Sequence, residues 1–192
     1  RFVFDVADHR VNAGCTAVVA FRIDDKLMVA NAGDSRAVLS RMGVAIHLSL
    51  DHKPGQVREY ERISNAGGFV NAAGRVNGNL NLSRAIGDLK YKKVPGVHRK
   101  HQIITADPDI TVTKLEPGQD EFLILACDGI WDCFSSQQAV DFVRQRLIQG
   151  MPIAQIIKEA FDYCLADDPR SSAGVGADNM TFMIVKLKDV IV

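Results

Sequence analysis

The residues of this sequence best suited to chemistry are aspartates placed at the ends of apolar runs. Asp34 closes Val29-Ala30-Asn31-Ala32-Gly33, and Asp128 follows Phe122-Leu123-Ile124-Leu125-Ala126-Cys127, with Asp132 four residues further on. Asp178 stands just before Thr181-Phe182-Met183-Ile184-Val185. A carboxylate at a strand end is costly to bury unless a cation or hydrogen bonds compensate it. Hard divalent ions such as Mg2+ and Mn2+ prefer shells built from carboxylate and water oxygens. An Asp after a strand is also a common turn former that bonds its own backbone, and spacing alone leaves both readings open. The sequence shows no His/Glu zinc motif, no phosphate-cradling P-loop and no nucleophile elbow. If the chain is an enzyme, a metal-activated water is therefore the expected nucleophile.

The elements that must position these residues can be read from pattern. Cys15 to Ile23 forms a β-rich run, and Asp24-Asp25 turns it into a second strand, Leu27 to Ala30. Ala32-Gly33-Asp34 leads into Arg36 to Ser40, and Met42-Gly43 into Ala45 to Leu50. Short strands with turn residues at this spacing predict an antiparallel sheet. Asp51-His52-Lys53-Pro54 reads as a helix entry with Asp51 as its cap, Val57, Tyr60 and Ile63 on its apolar face, and Gly67-Gly68 at its end. Gly74 to His101 is rich in Gly, Asn, Lys and Arg and is expected as a long surface excursion. Ile110 to Leu115 and Glu121 to Ala126 are expected to be paired strands. Ser135 with Gln138 makes a capping box for a helix reaching Ile148. Ile153, Ile156, Ile157, Ala160, Phe161, Cys164 and Leu165 form one apolar stripe that faces a core. A polar loop from Asp167 to Gly176 precedes a last strand, Thr181 to Leu187. Strands outnumber helices, and the amphipathic helices are expected to cover the sheets from outside.

Composition narrows the class. The 192 residues, 47% of them hydrophobic, suffice for one globular domain with a sizeable core. Twenty-three basic residues balance 23 acidic ones, so nothing suggests a nucleic-acid partner. No apolar run approaches the ~20 residues that cross a bilayer, and Arg1 to Asp5 lacks a secretory apolar stretch. Cys15, Cys127, Cys133 and Cys164 form no CxxC pair and fit four free thiols in a reducing compartment. A cytoplasmic protein, with a nuclear location also open, is the expectation.

More specific is an ordered series of short blocks: Gly14-Cys15-Thr16-Ala17, Asn31-Ala32-Gly33-Asp34-Ser35-Arg36, Asp51-His52-Lys53-Pro54, Asn65-Ala66-Gly67-Gly68 and Arg75-Val76-Asn77-Gly78. Leu82-Ser83-Arg84-Ala85-Ile86-Gly87-Asp88, Ala106-Asp107-Pro108-Asp109, Leu125-Ala126-Cys127-Asp128-Gly129-Ile130-Trp131-Asp132 and Asp178-Asn179-Met180-Thr181 complete it. The series resembles the PP2C-type family of metal-dependent serine/threonine protein phosphatases across nearly the whole chain from Gly14. The resemblance implies an α+β fold of two packed antiparallel sheets flanked by helices, a four-layer α-β-β-α sandwich, here N-terminally incomplete. It implies one partial domain over residues 1–192, acting as a monomer on phosphoserine and phosphothreonine in proteins. In such enzymes a water bridging two Mg2+ or Mn2+ ions attacks phosphorus in line, without a phosphoenzyme. Carried over by motif, Asp128 and Asp178 are ligands of the dinuclear core, and Asp34 and Asp132 help hold a further ion. Residues 74–101 are the flap beside the active site, braced by Arg84 and Asp88.

Other polar residues have plainer readings. His52 is expected to be a structural hydrogen-bonder, His98 and His101 solvated loop residues, and Trp131 a core anchor. Lys92-Lys93 and Arg99-Lys100 could meet acidic substrate, although a solvated loop is the simpler reading. The family pattern also begins further upstream, with an Asp-Gly-His-Gly block that supplies a ligand bridging both metals. A phosphate-binding Arg and a candidate general-acid His lie near that block. None is visible here, so the catalytic residues proper stay unassigned, and Phe2 to Asn12 is expected as a helix and link. The chain alone is therefore expected to bind metal weakly and to have little or no activity. A non-catalytic binding or regulatory module with a phosphatase fold is the alternative, and a hydrolase of small phosphoesters a third reading.

Overall fold

A computed structural model describes residues 13–168, 170, 172 and 174–187; the expected helix and link over Phe2 to Asn12 lies outside them. By internal contacts the chain divides into two units. One comprises the described residues up to Ala17 together with Ala30–Asp34 and Asp51–Asp109, and the other comprises Val18–Val29, Ser35–Leu50 and the chain from Ile110 onward.

The second unit holds most of two sheets, the ends of β2, β3 and β7 falling in the first. Strands β2 (Ala17–Ile23), β3 (Lys26–Ala32) and β7 (Asp109–Lys114) form one, in the order β2-β3-β7. Strands β4 (Arg36–Arg41), β5 (Val44–His47), β8 (Asp120–Ala126) and β9 (Phe182–Lys186) form the other, antiparallel in the order β5-β4-β8-β9. Expectation placed the strands now labelled β7 and β8 side by side; instead they lie in different sheets. Burial explains this: β8 is buried on both faces along its whole length, whereas β7 is mostly exposed, so only β8 suits a central position. Leu27 and Val29 of β3 pack with Ala37 and Leu39 of β4 and Leu123 and Leu125 of β8, which fills the space between the sheets with apolar side chains.

Helices α2 (Asp128–Trp131), α3 (Ser136–Ile148) and α4 (Ile153–Cys164) cover the opposite face of the four-stranded sheet. Val140, Val143, Ile156, Ala160 and Cys164 meet Val38, Phe122, Ile124 and Ile184 there. The expected stripe on α4 is the face that is buried, although Leu165 lies past the helix end and is exposed. The capping box at Ser135 forms as expected: the Gln138 backbone N–H donates to Ser135 Oγ at 3.2 Å, and Ser135 N–H donates to Gln138 Oε1 at 2.9 Å. All four cysteines are free, and burial pushes the Cys164 thiol up to about 12.

The first unit holds the two-stranded ladder of β1 (Gly14–Cys15) with β6 (Ile86–Gly87), and helix α1 (Val57–Asn65). Two expectations for this helix are corrected. Asp51 does not cap it; Gln56 stands at the cap, and its side chain donates to Asp51 O across the preceding turn. The buried face is not Val57 and Tyr60, which are exposed, but Glu59 and Ile63. A carboxylate replaces an apolar residue on that face because cations reach it. The helix ends as the two glycines suggested. Gly67 N–H donates to Ser64 O and Gly68 N–H to Ile63 O, a Schellman pairing that needs the positive φ of Gly67. Residues 74–101 are mostly irregular, as expected, yet Val76, Ala85 and Tyr91 join Ile63 and Ile104 in a buried cluster. No helix of the described residues is long and apolar enough to cross a membrane.

Candidate metal centre

In the second unit, the register of β8 with β9 pairs Ala126 with Phe182. That pairing brings the segment after Ala126 and the segment before Phe182 to the same end of the sheet. Cys127 N–H donates to Thr181 O at 3.2 Å, and the Cys127 thiol lies 3.3 Å from Asn179 O and 3.1 Å from Thr181 N. The closest approach is at Gly129. A Cβ there would sit 2.4 Å from Asn179 O, so only glycine lets the two backbones meet. Asp128 and Asp178, one on each segment, are thus held on loops locked together by their neighbours. Asp128 opens α2, where a carboxylate is favoured by the free N–H groups of a first turn. Asp178 Oδ1 accepts the Asn179 N–H at 2.7 Å. Trp131 anchors α2 from beneath: its indole N–H donates to Ala126 O at 2.8 Å, and the Arg36 guanidinium stacks 5.0 Å from its ring centre. Asp132 ends the same short helix and is exposed.

In the first unit, Asp34 is buried and paired with the Lys53 ammonium. The turn that carries it is fixed from several sides. His52 Nδ1 accepts the Gly33 N–H at 3.1 Å, and Gly33 O accepts the His52 N–H at 2.9 Å and an Asn31 amide N–H at 3.1 Å. Gly33 has a φ of +126°, and a Cβ there would meet the Thr16 methyl at 2.4 Å, which explains the Ala-Gly-Asp spelling of the turn. Behind His52 runs a chain of charges, with Arg84 and Glu59 buried and Asp109 partly exposed. Its Nε2 lies 3.2 Å from Asp109 Oδ2, and Arg84 donates to Asp109 Oδ1 at 2.8 Å and to Glu59 Oε1 at 2.6 Å. Arg62 and the Ser83 hydroxyl complete the shell of Glu59 at 2.5 and 2.6 Å.

The electrostatics follow from this geometry. Burial opposes ionisation of Glu59, yet hydrogen bonds from Arg84, Ser83 and Arg62 outweigh it and hold the carboxyl at about 2. Asp109 is likewise held below its ordinary value, because its bonds with Arg84 and His52 overcome burial. Burial, and then the Arg84 charge, push His52 downward. A neutral ring is what the bonding requires, since Nδ1 must accept while Nε2 donates.

Each expected residue can now be placed. Asp128 and Asp178 are brought to one strand end, Asp132 stands one turn along α2, and Asp34 sits on a braced turn in the other unit. Among the described residues, no three His, Cys, Asp or Glu side chains converge as around an ion. The two candidate ligands there, Asp128 and Asp178, are carboxylates, the oxygen donors that suit Mg2+ or Mn2+, and the Cys127 thiol between the loops is engaged with Asn179 O and Thr181 N–H. His52 is a structural hydrogen-bonder, as expected. Arg84 is buried against Glu59 and Asp109. Asp88 holds a left-handed backbone beside Gly14, where a Cβ would lie 2.2 Å from its Oδ2. Glu59, Arg62 and Asp109 were missed. Their only signal was an acidic residue four before Ile63 on the face of α1 that had to be buried.

Antiparallel sheets with Asp128 and Asp178 on loops at one shared strand end define a class of α+β protein, and comparison makes it specific. The protein phosphatase 2C family model matches residues 4–172. The chain belongs to the protein phosphatase 2C family. It is 51% identical over 178 residues to the probable protein phosphatase 2C 60 of Arabidopsis thaliana, covering 93% of this chain and 49% of that protein. It is 50% identical over 179 residues to protein phosphatase 2C homolog 3 of Schizosaccharomyces pombe, covering 93% and 42% respectively. The chain thus spans about half the length of the curated relatives it matches. A solved phosphatase structure from Toxoplasma gondii superposes with a TM-score of 0.73 at 31% identity, over 87% of this chain and 50% of that one. A sex-determining protein of Caenorhabditis elegans superposes with a TM-score of 0.76 at 26% identity, over 98% and 44%.

Proposed function

We propose that this chain is part of the catalytic domain of a metal-dependent protein serine/threonine phosphatase that hydrolyses phosphoserine and phosphothreonine in proteins. The observation that carries the proposal is the packing of Gly129 against Asn179, which presents Asp128 and Asp178 together in a chain of this family. Asp128 and Asp178 would hold Mg2+ or Mn2+, with Asp132 and Asp34 the carboxylates for a further ion. Bound divalent ions would supply an activated water and offset the charge of the phosphoryl oxygens. The chain's own part is positional. Trp131 and the Cys127 backbone fix where the Asp128 carboxylate can point, while His52, Asn31 and Lys53 fix the Asp34 turn. Residues 74–101 form the flap of this reading, and phosphoproteins are its partners. A monomeric protein of the cytosol or nucleus is part of the same reading, with the free cysteines fitting a reducing compartment.

The test compares release of phosphate from a phosphothreonine peptide, with and without Mn2+, by this chain and by a version extended to its relatives' length. Mn2+-dependent turnover by the extended protein, lost in Asp128→Asn and Asp178→Asn, is the expected result. Little or none is expected from the chain alone. No turnover by the extended, metal-loaded protein would favour a non-catalytic binding module. Equal turnover of a small aryl phosphate would favour a phosphoesterase of broader scope.

A further inference from the structure

The first unit contains a cavity of ≈ 530 Å³ that the proposed chemistry does not use. Lys92, Arg99 and Lys100 line it, with Gln102, Thr105 and Asp107 completing the polar wall. Its frame is built rather than incidental. Buried Gln102 staples the loop before it, accepting the Val94 N–H at 2.9 Å and donating to Val94 O at 3.0 Å and Val97 O at 2.7 Å. Buried Thr105 donates its hydroxyl to Arg99 O at 3.2 Å and accepts the Asp107 N–H at 3.1 Å. The backbone that carries Arg99 is therefore fixed at the rim.

The charges do not balance. The one carboxylate of the wall, Asp107, pairs with Lys100 at 3.2 Å. Lys92 spends one of its N–H groups on Ala85 O at 2.6 Å and makes no ion pair among the described residues. Arg99 has no acceptor for its guanidinium among them. Arg99, and Lys92 with no closer counter-charge than Asp88 outside the wall, leave an excess of positive charge around the concavity that focuses a positive field into it, and an Arg fork suits the paired oxygens of a carboxylate or phosphate. The volume is several times that of a bare phosphate group, so the fitting anion arrives on a larger body. Val97 and Pro108 supply apolar wall for its neighbours.

We propose that this cavity binds an acidic segment of the phosphoprotein substrate, taking a carboxylate or second phosphate group that is not the one hydrolysed. The inference rests on the phosphatase reading for the identity of the partner, but its test does not depend on turnover. Binding of fluorescein-labelled peptides would be measured by anisotropy: one with three consecutive Glu, one with a central phosphoserine, and a Gln control. The protein would be compared with Arg99→Glu, Lys92→Gln and, as a charge control, Lys158→Glu on the exposed side of α4.

Both acidic peptides are expected to bind, the Gln peptide not, and binding to weaken with salt. Arg99→Glu should lower affinity about tenfold or more, Lys92→Gln less, and Lys158→Glu hardly at all. Tighter binding of the phosphoserine peptide would assign the site to a second phosphate, and equal binding to a carboxylate. Wild-type affinity in both cavity variants would overturn the proposal, as would an equal loss in Lys158→Glu. Displacement of the peptides by inorganic phosphate at matching concentration would overturn the peptide part. A chain that binds the peptides yet never turns over a phosphopeptide would refute the phosphatase reading alone. An active enzyme whose kcat/KM on acidic substrates is unchanged by Arg99→Glu would refute the cavity alone.

Discussion

The Gly33 N–H donates to His52 Nδ1 across 3.1 Å, and this bond ties a buried ring to the turn that presents Asp34. A ring that accepts there must be neutral at Nδ1, and burial with Arg84 nearby favours that state. In the unfolded chain the same ring titrates near 6.5. Above that pH it is neutral in both states and adds no pH dependence. Below it, the unfolded chain takes up a proton that the folded one refuses, so stability falls as pH drops from 6.5 toward the lower folded value. Urea midpoints between pH 8 and pH 5 should decline in the wild type. The His52→Ala variant should be less stable by about 2–4 kcal/mol and should lack that part of the slope. A slope unchanged by the substitution would remove His52 from this role.

Glu59 acts at lower pH. Its carboxyl is held at about 2 against an ordinary 4.5, so the folded state releases its proton more readily than the unfolded one. The resulting stabilisation is complete above 4.5 and is lost as pH falls toward 2, with a size on the order of 3 kcal/mol. Glu59→Gln leaves Arg84 and Arg62 buried without their shared carboxylate, and should cost about 3–5 kcal/mol at neutral pH. Chemical denaturation of both proteins from pH 7 to pH 2.5 would show the two curves converging in acid.

Much of this architecture could be read before any coordinates. The strand ends, the capping box and the stripe on α4 came from periods of 2 and 3.6 that burial enforces locally. The assignment of β7 and β8 to different sheets could not be read that way, because two neighbouring apolar runs fit one sheet or two equally well. The Glu59, Arg84, Asp109 and His52 chain was illegible for another reason. Its partners lie as far as 57 residues apart in sequence, and although His52 and Arg84 could be read as structural, nothing local names Glu59 and Asp109 as the groups that close on them. Asp128 and Asp178 were legible as types, but the backbone approach that unites them needed the glycine's surroundings.

Gly129→Ala should act through that approach. The new methyl would meet a backbone carbonyl, which cannot swing aside as a flexible side chain can, so the loop at Asp178 must shift. We expect a loss of about 1–3 kcal/mol in stability and a weakening of Mn2+ binding by about tenfold or more, measured by calorimetric titration. Unchanged Mn2+ affinity would separate the loop contact from the metal centre.

Ser135→Ala tests a smaller and purely local contribution. Removing the Oγ that accepts from Gln138 should cost about 1 kcal/mol, seen as a modest fall in thermal midpoint with Mn2+ affinity unchanged. A larger loss would mean that α3 supports more than its own first turn.

Strand β8 has every residue buried and a neighbour on each side, whereas β9 forms an edge of its sheet among the described residues. The two candidate ligands therefore hang from supports of unequal durability. Amides in the middle of β8 should be among the last to exchange with solvent deuterium, and those of β9 should open earlier. On that ordering Asp128 should keep its place through fluctuations that release Asp178, and the edge strand should set how long the pair of carboxylates persists.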